Sequence, residues 1–342
     1  MKNKLLISTA LGAVMLSGAV NAETKITGQV DINYSAQSSS TSLSSKAGFG
    51  KEAQINVSNS GELNNGLSYA AGFSWEADGN TPSNDENFYI DFISGNTTFG
   101  VSQDHGLNTD SSAVPRVSIN AGSLSTFNDL AYAQGASVGS LAGNSTLAAT
   151  HVKEGWGVTL AQKFDAGTIQ ARFTPEFGQD GGSNDAIAEA NEGSAYDVNF
   201  QGNLGMEGLS VNLAYAKVEK AADSNHTSNR DSKGVQYGIG YNFGQFAIGI
   251  QRADREMGDQ AVDRDTKEIG ATFAATETLS LGAAYAETDV TGTASNEEIT
   301  QVSIGYNMGA VAVHLNYADY QNVKGVTNAD EEVGSIRFTT KF

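Results

Sequence analysis

The side chains that commonly carry catalysis or bind metals are sparse in this chain and poorly spaced for either purpose. There is no cysteine, which excludes disulfides, thiolate metal sites and cysteine nucleophiles. The four histidines, at positions 105, 151, 226 and 314, follow no metal-ligand spacing. Residues 135–139 match the nucleophile-elbow string, but their Gly/Ser/Ala-rich surroundings offer no strand and helix to hold Ser137 in a strained turn. We therefore predict no catalytic residue, no cofactor and no enzymatic activity.

Carboxylate-rich segments leave one metal hypothesis open. Residues Gln179 to Glu192 and Asp254 to Asp265 are acidic and could bind Ca²⁺ through carboxylates, although they lack the twelve-residue ligand rhythm of an EF-hand. We expect solvated loops there, with loop-bound Ca²⁺ as the alternative.

Charged side chains are the most informative group. Many of them lie on one face of segments in which polar and apolar residues alternate, and others lie in one long segment that separates two of these. If they enclose water, opposite charges facing each other create a transverse field that orders permeating dipoles and penalises apolar solutes. Cations are few in this set and acids are many, which predicts a preference for cations; the alternative for each residue is a merely solvated surface charge. The candidate residues are Lys25, Asp31, Asp91, Asp104, Asp110, Arg116, Asp129, Lys163, Arg172 and Arg337.

Strands must position these charges, because apolar and polar residues alternate with period two along the chain. In the first segment Ile26, Val30 and Ile32 alternate with Lys25 and Asp31, so one face is apolar and the other polar. Only three prolines interrupt the chain, as a continuous hydrogen-bond ladder requires. The pattern predicts an all-β protein with sixteen strands, at 23–36, 47–58, 67–77, 86–94, 97–103, 156–164, 167–175, 194–202, 209–218, 234–242, 245–253, 266–274, 279–287, 298–306, 310–320 and 333–342.

The connections between these strands alternate between tight turns and long polar segments. Turns near Asp165 and Asn307 are short, whereas the segment from Asp104 to Gly155 is far longer than an ordinary loop. Short turns at one end and long loops at the other are typical of outer-membrane barrels, and a soluble sandwich needs no such asymmetry. An extra strand at 144–152 would favour eighteen strands, but it would put a long loop on the periplasmic side. Sixteen strands bring the first, from Glu23, beside the last, ending at Phe342.

The N-terminus has the pattern of an export signal. Lys2 and Lys4 precede an apolar run from Leu5 to Val20, and small residues end at Ala22. We predict a signal peptide at 1–22 and one barrel domain at 23–342. Removing the signal leaves 18 basic and 39 acidic residues, a net charge of −21, which argues against a nucleic-acid partner.

Four cations break the outward apolar pattern near predicted extracellular strand ends: Lys51, Lys217, Arg252 and Lys267. Cations at that level could meet lipopolysaccharide phosphates, and the alternatives are snorkelling to the interface or a bulge that changes the parity.

Three stretches and the last residue resemble the general diffusion porins of Gram-negative bacteria. The stretches are Thr27-Gly-Gln-Val-Asp, Gly61-Glu-Leu-Asn-Asn-Gly-Leu-Ser-Tyr and Ile93-Ser-Gly-Asn-Thr-Thr-Phe-Gly-Val, and the chain ends on Phe342. The resemblance implies a homotrimer in the outer membrane, a long third loop folded into the lumen as a constriction, and recognition of Phe342 by the barrel assembly machinery. The sequence departs from the family at Val101-Ser102-Gln103, where an arginine is usual, and it lacks the third-loop Pro-Glu-Phe-Gly-Gly.

These features predict a transmembrane β-barrel for passive diffusion of ions and small hydrophilic solutes. Two alternatives stay open: a solute-specific porin, and a barrel enzyme or adhesin acting through its outer surface and loops. Permeation of small neutral solutes separates a channel from a barrel enzyme or adhesin, and sixteen strands favour the channel because smaller barrels fill their interior with side chains.

Overall fold

The computed structural model describes residues 20–40, 46–78, 84–103, 113–114, 156–175, 192–220, 231–256 and 263–342. Within them are sixteen strands: β1 Val20–Ser39, β2 Lys46–Glu62, β3 Ser68–Asp78, β4 Asn84–Ser94, β5 Thr97–Ser102, β6 Gly157–Phe164, β7 Gly167–Thr174, β8 Glu192–Gly202, β9 Leu209–Lys220, β10 Ser232–Phe243, β11 Phe246–Glu256, β12 Arg264–Ala274, β13 Leu279–Val290, β14 Glu297–Asn307, β15 Val311–Gln321 and β16 Glu331–Lys341. A single turn of 3₁₀-helix, Val323–Gly325, precedes β16.

The strands form one closed antiparallel barrel. Each strand pairs with its neighbours in sequence, and β16 pairs with β1, where Gln29 lies opposite Lys341 and Ser39 opposite Glu331. Closure leaves no free sheet edge, so every strand has a partner on both sides. The prediction of sixteen strands is confirmed.

Alternation places polar groups inside the barrel and apolar groups outside it. In β1 Asp31, Asn33 and Ser35 are buried on the inner face, whereas Ile32 and Tyr34 are exposed on the outer face. The same division recurs around the barrel, since Ile239, Ile250 and Leu315 also point outward and are exposed. A soluble sheet would bury its apolar face, so this inverted arrangement suits a barrel whose outer surface meets lipid.

The short turns are built by asparagine and glycine. Asn242 and Asn307 each accept, through Oδ1, the backbone N–H of the glycine two residues later, at 3.1 and 2.8 Å. Those glycines, Gly244 and Gly309, have φ of 86° and 90°, which a residue with a Cβ adopts only under strain. Local chemistry thus fixes these tight turns. At the other end the connections between β5 and β6, β7 and β8, and β9 and β10 are long, as predicted, whereas those between β1 and β2, β3 and β4, and β13 and β14 are no longer than the turn between β8 and β9.

Aromatic side chains cluster on the outer face at the ends of the strands. Phe246 stacks on Phe243 and Phe273, with ring centroids 5.8 and 4.5 Å apart, at the short-turn end. Tyr34 and Phe49 lie 5.1 Å apart nearer the other end. Both clusters lie where a belt of aromatic side chains would meet the two membrane–water interfaces.

The observed strand ends differ from the prediction by at most four residues, as at β2, which ends at Glu62 rather than at position 58. The predicted cleavage after Ala22 lies within β1 and stays a prediction. The possible strand at 144–152 lies outside the described residues. No helix in the described part of the chain is long and apolar enough to cross a membrane.

Candidate functional site

Two of the predicted charges meet on the inner wall where the barrel closes. Nη2 of Arg337 on β16 lies 2.6 Å from Oδ2 of Asp31 on β1, and 3.4 Å from Oε2 of Glu52 on β2. The Arg337 side chain is 2% exposed and that of Asp31 is 0% exposed. Burial removes both charges from water, so their mutual attraction and their hydrogen bonds must offset the lost hydration. We call Asp31, Glu52 and Arg337 the seam cluster.

Neighbouring polar groups complete the surroundings of Asp31. Thr339 Oγ1 donates to Oδ1 of Asp31, and Gln29 Nε2 donates to Oδ2. His314 lies opposite Arg337 in the β15–β16 register and is also buried. A carboxylate accepts several hydrogen bonds at once, so these donors fix the orientation of Asp31. The seam cluster therefore presents a rigid set of charges on one wall.

Arg172, on another part of the inner wall, connects β7 to β5 across β6. From β7 its Nη1 donates to Ser102 Oγ at 2.8 Å and its Nη2 to the Ser102 carbonyl at 2.9 Å. Its Nε donates to Thr174 Oγ1 at 3.3 Å. Ser102 ends β5, immediately before the long connection to β6. Arg172 thus fixes the point where that connection leaves the wall.

The other predicted charges do not join the seam cluster. Asp91 lies on β4 opposite Gly100 of β5, on the inner face. Lys25 and Lys163 are exposed, and Lys25 lies 3.5 Å from Glu23. The remaining predicted constriction residues fall outside the described residues and stay predictions: Asp104, Asp110, Arg116 and Asp129.

Sequence reasoning missed a second inward cationic group. Arg255 of β11 and Arg264 of β12 face each other across the ladder, and both are buried. Arg255 donates to Thr266 Oγ1 at 2.9 Å, and Thr266 Oγ1 lies 2.8 Å from Thr288 Oγ1. The predicted strands stopped at position 253 and began at 266, which left both arginines in a loop. The signal was present, because the inward alternation of Gln251 and Ala253 continues to Arg255.

The C-terminus closes the barrel beside Gly28. Gly28 N–H donates to the Phe342 carbonyl at 2.7 Å, and Phe342 N–H donates to the Gly28 carbonyl at 3.0 Å. A Cβ at Gly28 would collide with the Phe342 ring, so this glycine leaves room for that ring on the outer face. Glu23 pairs instead with Ser60 of β2. The first and last strands are neighbours, as predicted, and Gly28 rather than Glu23 is the residue that contacts Phe342.

The outward cations near the long-loop end differ in their partners. Arg252 and Asp265 form a two-pronged pair, with contacts of 2.8 and 2.6 Å. Lys217 lies 2.8 Å from Asp231 and 3.2 Å from Glu219. Lys51 and Lys267 are exposed. Among the described residues, no three histidine or carboxylate side chains are placed to hold a metal ion.

Comparisons with known proteins agree with this architecture. A family model described as Gram-negative porin matches residues 8–334. No curated protein matches the chain in sequence.

Several solved structures are similar to this chain in fold. The anion-selective porin from Comamonas acidovorans has a TM-score of 0.69 and 13% identity, over 94% of this chain and 100% of that one. OmpF of Salmonella typhi, in a complex with daunomycin, has a TM-score of 0.68 and 12% identity, over 93% and 97%. OmpT of Vibrio cholerae, in its trimer form, has a TM-score of 0.63 and 13% identity, over 94% and 100%. Since the family model spans nearly the whole chain, the protein belongs to the Gram-negative porin family, and its fold is that of an outer-membrane diffusion channel for small solutes.

Proposed function

We propose that this protein is a homotrimeric channel for passive diffusion of ions and small hydrophilic solutes. The observation that carries the proposal is the inverted barrel, whose inner face is polar and charged and whose outer face is apolar. Sixteen antiparallel strands enclose a lumen wide enough for water, whereas small barrels fill theirs with side chains. The homotrimer is supported by family membership and by the trimer form of one similar structure.

Permeation of neutral solutes tests the channel directly. Liposomes containing the purified protein should swell in isotonic solutions of small sugars, at rates that fall steeply as solute size increases. Protein-free liposomes and liposomes with heat-denatured protein are the controls. Absence of swelling with correctly folded protein would contradict the proposal and favour an enzyme or adhesin acting through the outer surface.

We further propose a preference for cations over anions. The net charge of −19 and the acids Glu52 and Asp91 on the inner face support it. The buried arginines Arg255 and Arg264 oppose it, and one similar structure is an anion-selective porin. Reversal potentials in a KCl gradient decide the sign, and Glu52→Gln should shift the potential toward anions. A reversal potential on the anion side for the unaltered protein would refute cation preference.

Lipopolysaccharide and the barrel assembly machinery are the partners proposed for the outer surface. The exposed cations Lys51 and Lys267 support contact with phosphates, and the ring of Phe342, which is 65% exposed, supports recognition of the last residue. Lys51→Gln with Lys267→Gln should weaken lipopolysaccharide retention during purification, while Lys25→Gln, at the opposite end, should leave it unchanged. Equal retention in all variants would contradict the contact.

A further inference from the structure

A cavity lies on the inner wall of β13 to β16 at the short-turn end of the barrel. Its volume is about 360 Å³, and small-molecule sites usually have volumes of about 300–1,000 Å³. The turn between β12 and β13 forms one side of it, and the ends of the next three strands form the other sides. Ser280, His314 and Thr339 contribute polar side chains to its lining, so the cavity is large enough and polar enough for a small hydrophilic molecule.

Small residues in one row of the inner wall create this cavity. Gly305 of β14 lies directly opposite Ser280 of β13 on one side and His314 of β15 on the other. Gly305 has no side chain, and Ala312, two positions before His314, has only a methyl group. Neighbouring strands are about 4.8 Å apart, so roughly 10 Å separate the backbones that carry Ser280 and His314. A gap therefore remains between the hydroxyl and the imidazole.

His314 brings a buried polar atom without a partner to the wall of this cavity. The residue is 6% exposed, and its Nδ1 forms no hydrogen bond within the part of the chain that the structure describes. A buried nitrogen without a partner costs free energy, and in native proteins nearly all such groups are paired with protein, water or a ligand. The imidazole is therefore the group in this cavity that gains most from a bound molecule.

The polar groups of the cavity include hydrogen-bond donors and acceptors. Thr339 donates its hydroxyl proton to Asp31, so towards a ligand its oxygen only accepts. A neutral imidazole has one donor and one acceptor, and the Ser280 hydroxyl acts as either. An ammonium group of a ligand only donates and a carboxylate only accepts, whereas a hydroxyl does both. The lining thus fits a ligand with several hydroxyl groups.

Both signs of charge occur around the cavity. Glu277 and Lys341 line its rim and are exposed, with opposite charges. Arg337, opposite His314 in the ladder, forms an ion pair with Asp31. Because neither sign is present alone, a solute with a net charge gains little from this part of the wall. A neutral solute can form the hydrogen bonds without electrostatic repulsion.

We propose that this cavity binds a neutral, polyhydroxylated solute of monosaccharide size, with His314 and Ser280 as its hydrogen-bonding partners on either side of Gly305. The proposal rests on the proposed diffusion function, because its ligand is one of the solutes that cross the lumen. Binding is weak and reversible, since a solute that permeates must leave a site as readily as it enters.

Binding of D-glucose to the purified, folded protein tests the site without reference to permeation. Saturation-transfer NMR in micelles of a sugar-free detergent detects weak binding, and titration gives the apparent affinity. We expect a glucose signal from the unaltered protein. His314→Phe keeps a ring but removes both nitrogen atoms, so the affinity should fall roughly fivefold, the effect of about one hydrogen bond. Betaine has both charges and no hydroxyl group, and it should give no signal.

Filling the cavity gives a matched pair of variants. Ala312→Leu places a larger side chain in the cavity and should abolish the glucose signal. Ala283→Leu makes the same exchange on the outer face of β13, where the residue is exposed, and should leave the signal unchanged.

The proposal is overturned if the folded, unaltered protein gives no glucose signal, if betaine binds as strongly as glucose, or if folded Ala312→Leu still binds glucose. If Ala312→Leu does not fold, His314→Phe decides, because an unchanged affinity there contradicts the role of the imidazole. Liposome swelling separates this proposal from the channel itself. Swelling without glucose binding refutes only the cavity site, and glucose binding without swelling refutes only the channel.

Discussion

Two arginine–aspartate pairs of this barrel have the same shortest contact in opposite surroundings. Arg337 and Asp31 on the inner wall lie 2.6 Å apart, with side chains 2% and 0% exposed. Arg252 and Asp265 on the outer face also lie 2.6 Å apart, but they are 40% and 24% exposed. Distance alone would rate the pairs as equal, and the outer pair even has the two-pronged geometry that favours strong binding.

Burial, rather than distance, decides what each pair contributes. Water and salt screen the outer pair, so it contributes little to the free energy of folding. At the inner pair the main effect is the penalty that either charge would suffer alone in its buried position. The inner pair therefore fixes the positions of its two charges, whereas the outer pair can be replaced with little change in the free energy of folding. The following variants test that difference, in order of expected effect.

Arg337→Met should give the largest loss, because it leaves Asp31 buried without its cation. We expect the free energy of unfolding to fall by about 3–5 kcal/mol. Urea titrations in detergent micelles, followed by intrinsic fluorescence, measure it. Combining Arg337→Met with Asp31→Asn should recover part of the loss, since no buried charge then remains at this pair. A double variant that is less stable than the single one would contradict this explanation.

Arg172→Met should give an intermediate loss of about 1–3 kcal/mol, because a charged donor to Ser102 disappears and its acceptors stay buried. Since Ser102 precedes the long connection, we also expect more current noise in single-channel recordings. Thermal unfolding and planar-bilayer recordings measure the two effects. Arg172→Lys should retain part of the stability, and an Arg172→Met variant with unchanged stability and unchanged noise would refute the anchoring role.

Arg252→Met should give the smallest effect, at most about 1 kcal/mol. Raising the salt concentration to about 1 M shortens the screening length to about 3 Å, so the difference from the unaltered protein should vanish there. The same urea titrations at low and high salt provide the measurement. A loss equal to that of Arg337→Met would show that exposure does not distinguish the two pairs.

The sequence was enough to predict the barrel, because alternation and turn chemistry are local signals. Asn307 and Gly309 indicate their turn, and the parity of Asp31 and Arg337 places both inside. The number of strands follows from counting the alternating segments and the turns between them along the chain. Parity does not say which inward charges meet, and the pairing of Asp31 with Arg337 depends on closure between the two ends of the chain.

Charges near strand ends were harder to place. Arg255 and Arg264 continue the inward alternation, yet polar segments beyond Ala253 look like loop, so their position on the wall was missed. The alternation in β10 places Gly238 and Gly240 on the inner face, but a glycine carries no information about what packs against it. Their contact with Ala113, in the connection between β5 and β6, becomes visible only when segments distant in sequence are placed together.

The position of the seam has a consequence for the order of events during biogenesis. Thr339 and Asp31, which share a hydrogen bond, are 308 positions apart in the chain. None of the bonds between β1 and β16 can form until β16 has been synthesised and exported. Closure over so long a separation also carries a large loop entropy, which slows it. Until then β1 has a free edge, and a chain that lacks β16 cannot complete the barrel.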